Sequence, residues 1–268
     1  MLGAVIGDIA GSRFEWHNRK SKEFTLFHER CHFTDDTVMT LAICAALLEC
    51  EPDESLAELT VEAMQVWGRA YPKAGYGGRF RQWLQADEPE PYNSFGNGSA
   101  MRVSGCGWAG SSLEQVKQLS AQVTEVTHNH PEGLKGAEAT AVAIYLARTG
   151  STKEELRQYM EEHYYPLDFT LDAIREAYTF DVTCQGSVPQ ALEAFLEADS
   201  FEATIRNAIS IGGDSDTIAA IAGSIAEAYY GVPVEMREQA LTYLDVDMFR
   251  LIQRFEKRYE ARKNAAAI

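Results

Sequence analysis

Apolar positions recur at helical spacing along nearly the whole chain, and alternating β-branched runs of the strand type are few. The periodicity predicts helices over about residues 3–12, 36–49, 54–70, 112–125, 133–149, 152–162, 169–178, 189–197, 201–209, 215–230, 234–242 and 247–263. Several ends carry their own signals. Ser187 stands just ahead of Pro189, which reads as an N-cap followed by a proline in the first turn. Gly231 followed by Pro233 closes the helix that starts near Ser215. Neither a linker nor a repeat interrupts the pattern. The expectation is an all-α protein folded as a single domain over residues 1–268.

Two of these helices are unusually apolar, and both begin with acids. Asp36 is followed by Val38, Met39, Leu41, Ile43, Ala46, Leu47 and Leu48, and residues 218–226 contain no charge. A helix apolar on every face is normally buried. The acids at its mouth, in Phe33-Thr34-Asp35-Asp36-Thr37 and Gly212-Gly213-Asp214-Ser215-Asp216-Thr217, are then held at the edge of the core. Helix capping accounts for one acid in each cluster and less well for two. Four carboxylates held together repel one another and lose hydration unless a cation or protons compensate. Carboxylate and hydroxyl oxygens suit Mg²⁺ or Mn²⁺ rather than zinc. A metal site built from two distant segments is the expectation.

Gly3, Gly7 and Gly11 form one stripe of the first helix, a surface that lets another backbone come close. The alanine- and glycine-rich helix after Asp216 is the natural partner, and that packing would bring Asp8 and Glu15 to the acids. Residues 72–111 are broken by glycines and prolines, yet carry Tyr76, Phe80, Trp83, Tyr92 and Phe95, so an ordered functional loop is expected. Within it, the run Asn93 to Arg102 is rich in backbone donors that can cradle an anion such as a diphosphate. Thr127-His128-Asn129-His130-Pro131 places two imidazoles just before a helix, where capping and ligand contact are both open.

A formal charge of −16 argues against a bulk nucleic-acid backbone as partner. The C-terminal helix is locally basic through Arg250, Arg254, Lys257, Arg258, Arg262 and Lys263, but acids lie among them, as on a solvated face. The five cysteines, Cys31, Cys44, Cys50, Cys106 and Cys184, have no C-x-x-C spacing and fit a reducing compartment. The start lacks a basic leader, and no segment has the uncharged length of a membrane span, so a cytoplasmic location is the default.

Taken in order, five strings resemble the ADP-ribosylglycohydrolase family. They are Gly7-Asp8-Ile9-Ala10-Gly11 with Glu15, the Thr34 cluster, Gly96-Asn97-Gly98-Ser99-Ala100-Met101-Arg102, the His128 string and the Asp214 cluster. The resemblance implies an orthogonal all-α bundle with two Mg²⁺ (or Mn²⁺) ions. It carries metal ligation to Thr34, Asp35, Asp36, Asp214, Asp216 and Thr217. It places Glu15 near the metals, with Glu15, Asp35 and Asp36 as candidates for proton transfer. Ser94, Phe95, Gly96, Asn97 and Gly98 match a loop around the diphosphate and distal ribose, His128 a ligand contact, and Gly75 and Gly77 a second phosphate-side loop. The implied substrate is ADP-ribose or an ADP-ribosylated conjugate, cleaved at C1″. A non-catalytic ADP-ribose binder, or a structural protein of the same fold, is the alternative.

Overall fold

The computed structural model describes residues 1–259, which contain fifteen α-helices and no β-strand. In chain order the first eight are α1 (Leu2–Gly11), α2 (Asp35–Glu49), α3 (Leu56–Ala70), α4 (Gly78–Gln85), α5 (Gly98–Arg102), α6 (Ser104–Ala109), α7 (Leu113–Thr124) and α8 (Pro131–Arg148). The others are α9 (Lys153–His163), α10 (Leu171–Ile174), α11 (Cys184–Leu196), α12 (Phe201–Ser210), α13 (Ser215–Tyr230), α14 (Val234–Leu241) and α15 (Val246–Tyr259). The all-α expectation holds among the described residues.

The centre of the fold is α13, buried from Ser215 to Ala228 around its uncharged run 218–226. Helix α1 lies directly against it, and the glycine stripe is the reason. A Cβ on Gly7 would stand 2.0 Å from the Ala219 carbonyl oxygen, and one on Gly3 would stand 2.1 Å from that of Gly223. At Gly11 it would meet the Asp216 Cα at 2.5 Å. Backbone therefore touches backbone along three turns, which only glycine permits. This contact sets the loop after α1 beside the first turn of α13. Helix α2, buried along most of its length, packs against α1 and completes the layer that carries the acids.

Four elements depart from the periodicity. Helix α11 starts at Cys184, not near Pro189, with the Thr183 hydroxyl accepting from the Gly186 N–H as its cap. Pro189 lies inside the helix and forgoes the bond to the carbonyl of Gln185, an exposed residue. Ser187 is no cap; it is buried, and its hydroxyl donates to the Asp181 carbonyl at 3.2 Å. The segment 169–178 keeps one α-helical turn, Leu171–Ile174, followed by turns in which the Tyr178 N–H still donates to the Ile174 carbonyl at 2.8 Å while its hydroxyl donates to the Gly186 carbonyl at 2.6 Å. The glycine-broken stretch 72–111 holds three short helices, the first anchored by buried Phe80, Trp83 and Leu84. Helix α8 begins two residues early because His130 accepts from the Glu132 N–H and Pro131 occupies its first position. Residues 260–263 of the last expected helix, including Arg262 and Lys263, lie outside the described residues. No helix among the described residues is long and apolar enough to cross a membrane.

Candidate metal centre and ligand cleft

The first turns of α2 and α13 face each other. The Thr217 hydroxyl donates to Asp36 Oδ2 at 3.1 Å, bridging two segments far apart in sequence. Asp8 arrives from the middle of α1 and is held by four donors. The Thr34 N–H (2.8 Å), the Thr34 hydroxyl (2.7 Å), the Thr37 N–H (3.0 Å) and the Thr37 hydroxyl all point at its carboxylate. Oxygens of Asp8, Asp36 and Asp216 come within 4.8 Å of one another, as do oxygens of Glu15, Asp214 and Asp216. Asp216 belongs to both groups. Asp35 stands at the edge of the cluster, its N–H donating to the Ala74 carbonyl at 2.7 Å and its Oδ1 3.2 Å from where a Cβ on Gly75 would sit.

So many buried carboxylates cannot all stay charged without help. Burial pushes Asp36 well above the usual carboxylate range, and the charges of Asp8, Asp35 and Asp214 push it further. Asp216 is raised in the same way, by burial and then by Asp214 and Asp36. Burial also raises Asp8 and Asp214, against the hydrogen bonds from Thr34 and Thr37 to the former and from Asn97 to the latter. Asp35 keeps some surface open to the cleft, yet the protein packed round its carboxyl pushes it up to about 8. Glu15, half-buried, rises to about 7 through burial and the charges of Asp214 and Asp8.

The donor set fits hard divalent cations. All groups in the cluster are carboxylates or hydroxyls, and neither cysteine nor histidine joins them. Asp36 Oδ1 is buried and has no hydrogen-bond partner, and Asp36 belongs to the acidic group with Asp8 and Asp216. Thr34 and Thr217 donate their hydroxyl protons to Asp8 and Asp36, which leaves oxygen lone pairs for a cation.

The acids form one end of a cleft of about 460 Å³. Of the residues singled out in the sequence, Glu15, Asp35, Asp36, Asp214, Asp216 and Thr217 line it together with Gly75, Gly77, Ser94, Gly96, Asn97, Gly98 and His128. Thr34 and Phe95 do not. Thr34 is buried behind Asp36 against Asp8, while Phe95 is 44% exposed and packs its ring against His130. The glycine loop carrying Gly96 is fixed by an isolated bridge to Thr183, and Asn97 reaches down to donate to Asp214 Oδ2 at 2.7 Å. The two imidazoles divide the open readings between them: His130 caps α8, and His128 turns into the cleft.

Other residues of the site had no pattern to announce them. Asn18 links the segment after α1 to the acidic loop, with its amide donating to the Gly213 carbonyl and its Oδ1 accepting from the Gly213 N–H, both at 2.9 Å. Trp16, 72% exposed, stacks on Phe180 at a centroid distance of 5.2 Å, and both rings line the cleft. Arg102 is buried beside His128, although the string containing it hinted at no role for it.

The family model for ADP-ribosylglycohydrolase matches residues 1–265. The chain belongs to the ADP-ribosylglycohydrolase family. It is 30% identical to the ADP-ribosylhydrolase ARH3 of Mus musculus, over 87% of this chain and 83% of the mouse protein. It is 25% identical to the ADP-ribosyl-[dinitrogen reductase] glycohydrolase of Rhodospirillum rubrum, over 94% and 91% of the two chains. A solved ADP-ribosylglycohydrolase-related protein shares the fold at a TM-score of 0.71 and 24% identity, covering 96% of this chain and 95% of its own.

Proposed function

We propose that this chain hydrolyses the glycosidic bond at C1″ of an ADP-ribose conjugate, using two divalent cations, Mg²⁺ or Mn²⁺, held by its acidic cluster. One observation carries the reading. Carboxylates from three separate segments converge at the end of a glycine-walled cleft, and the buried Asp36 Oδ1 among them has no partner. The ligands would be Asp35, Asp36, Asp214 and Asp216, with Thr34 and Thr217 through their hydroxyl oxygens.

Such cations, when bound, hold ribose hydroxyls and make a nearby water more acidic. The remaining work falls to the protein. Gly75, Gly77, Gly96 and Gly98 present backbone where side chains would obstruct a diphosphate. Ser94, Asn97 and His128 add polar groups along that wall. The carboxylates around the distal ribose stabilise the positive charge that develops at C1″ as the bond breaks. Glu15, raised to about 7 and standing beside Trp16, is able to hold or release a proton near neutral pH. Asp35 shares that ability at the cleft edge.

Titration calorimetry of ADP-ribose into chelator-treated protein, with and without Mg²⁺ or Mn²⁺, tests the reading. Metal-dependent binding, followed by release of ADP-ribose from an arginine, serine, acetyl or nucleic-acid conjugate, is expected. Binding without release from any of them would favour the non-catalytic alternative, and absence of binding would sink both.

A further inference from the structure

Arg102 is a guanidinium buried at 1% exposure, and among the described residues no carboxylate pairs with it. Its Nη2 donates to the Thr127 hydroxyl oxygen at 2.7 Å, and its Nε is buried with no partner. The same hydroxyl lies 2.7 Å from His128 Nδ1. A guanidinium has donors only, so the Thr127 oxygen must accept from it. The single hydroxyl proton then has two destinations: His128 Nδ1 at 2.7 Å or the Thr124 carbonyl at 3.5 Å. The shorter contact takes it. Nδ1 is thereby the accepting nitrogen, and Nε2 carries the imidazole proton. That Nε2 stands 3.6 Å from where a Cβ would sit on Gly96 and again on Gly98.

We propose that Arg102 and Thr127 are positioning residues that fix His128 as a neutral imidazole presenting an Nε2–H donor to the glycine loop. The inference rests on the ADP-ribose reading only for the identity of the ligand. The atom received at this point must be an acceptor oxygen, such as one on a phosphate. Burial and the Arg102 charge both hold His128 well below the usual histidine range, so the ring stays neutral. The arrangement keeps a permanent positive charge one residue behind the loop without tying it to a protein acid. An anionic ligand is drawn in by that charge, yet meets a neutral donor.

Long-range ¹H–¹⁵N spectra of the imidazoles, recorded on metal-free and ligand-free protein near neutral pH, read the tautomer directly. His128 is expected as the neutral Nε2–H form. In Thr127→Val both tautomers should be populated, and ADP-ribose binding to the metal-loaded protein should weaken about tenfold. The metal-induced rise in melting temperature should be unchanged, and Thr127→Ser should restore both tautomer and affinity. An Nδ1–H form in the wild type overturns the proposal, as does an unaltered Nε2–H form in Thr127→Val. If Thr127→Val does not fold, the wild-type spectrum decides alone. Absence of ADP-ribose binding by the wild type would overturn the hydrolase reading, while the tautomer would still be judged by the spectrum.

Discussion

The Thr217 hydroxyl donates to Asp36 Oδ2 at 3.1 Å, so the first turns of α2 and α13 are joined through the acidic cluster itself. The other oxygen of Asp36 is buried and unpartnered. The cluster is thus complete as a packing unit and incomplete as an electrostatic one.

Replacing one acid by its amide should separate those two aspects. In Asp36→Asn the shape is kept and a buried charge is removed. The metal-free variant is expected to be more stable than the metal-free wild type by about 1–3 kcal/mol, a shift of roughly 2–4 °C per kcal/mol in a chain of this size. Its stabilisation by millimolar Mg²⁺ or Mn²⁺ should disappear, because that stabilisation depends on binding to the folded state. Turnover should fall by on the order of 100-fold or more. Thermal melts with chelator and with metal check the first two points. A metal-free variant less stable than wild type would show that the Asp36 charge favours the first turn of α2, which Thr34 caps, more than it suffers from the neighbouring acids.

The raised carboxylates predict a pH dependence of the metal-free protein. Asp35, at about 8, and Glu15, at about 7, bind protons more tightly folded than unfolded. Their contribution is therefore fully present below the unfolded carboxylate range near pH 4 and is lost as the pH rises through 7 and 8. Metal-free protein should melt several degrees lower at pH 8 than at pH 5. Saturating divalent cation should flatten or reverse that slope, since it favours the charged carboxylates. A flat profile without metal would contradict the crowding of charges.

Two glycines, one in the α1–α13 contact and one on the cleft wall, should behave in opposite ways. Gly7→Ala puts a methyl group 2.0 Å from the Ala219 carbonyl oxygen and should cost at least about 3 kcal/mol or prevent folding. Gly77 has ordinary backbone angles and nothing within 4 Å of a new Cβ. Gly77→Ala should leave the melting temperature within about a degree or two of wild type. Its methyl group faces the ligand wall, so ADP-ribose affinity should drop by about tenfold or more if a phosphate approaches the backbone there. Unchanged affinity would remove Gly77 from the ligand wall.

Much of this was legible in the chain. The i, i+4, i+8 spacing of Gly3, Gly7 and Gly11 reports a close helix contact because glycine inside a helix is otherwise costly. The doubled acids at two apolar helices report a shared site because one cap needs one acid. Local rules misled at Pro189, where tertiary packing of Ser187 and Tyr178 carried the helix upstream of the proline. The short helices of residues 72–111 were hidden because glycine breaks mask a periodicity of only one or two turns. Asn18 had no signal, and Arg102 stood in a resembling string that gave it no role. Each acts through a partner distant in sequence, 195 residues away at Gly213 and 25 at Thr127, and one polar residue carries no period.

The contact between Asn97 and Asp214 offers the most direct test of how the cluster is held. Asn97 Nδ2 donates to Asp214 Oδ2 at 2.7 Å and to the Ser187 hydroxyl at 3.0 Å, and Asn97 is buried. Asn97→Asp preserves the shape but can turn the donor into a second carboxylate oxygen at that distance. Two carboxylates so placed must share a proton, which raises the pKa of the pair in the folded state alone. By linkage, the loss relative to wild type should be small below about pH 4, where both acids are protonated even when unfolded, and should grow as the pH rises toward 7. A deficit of about 2–4 kcal/mol at pH 7 is expected from a buried pair that keeps its proton against the solution. Denaturant titrations of both proteins from pH 4 to pH 8 measure it. A deficit that stays constant across that range would mean that Asn97 serves the packing of α5 and α11, with no electrostatic hold on the acidic loop.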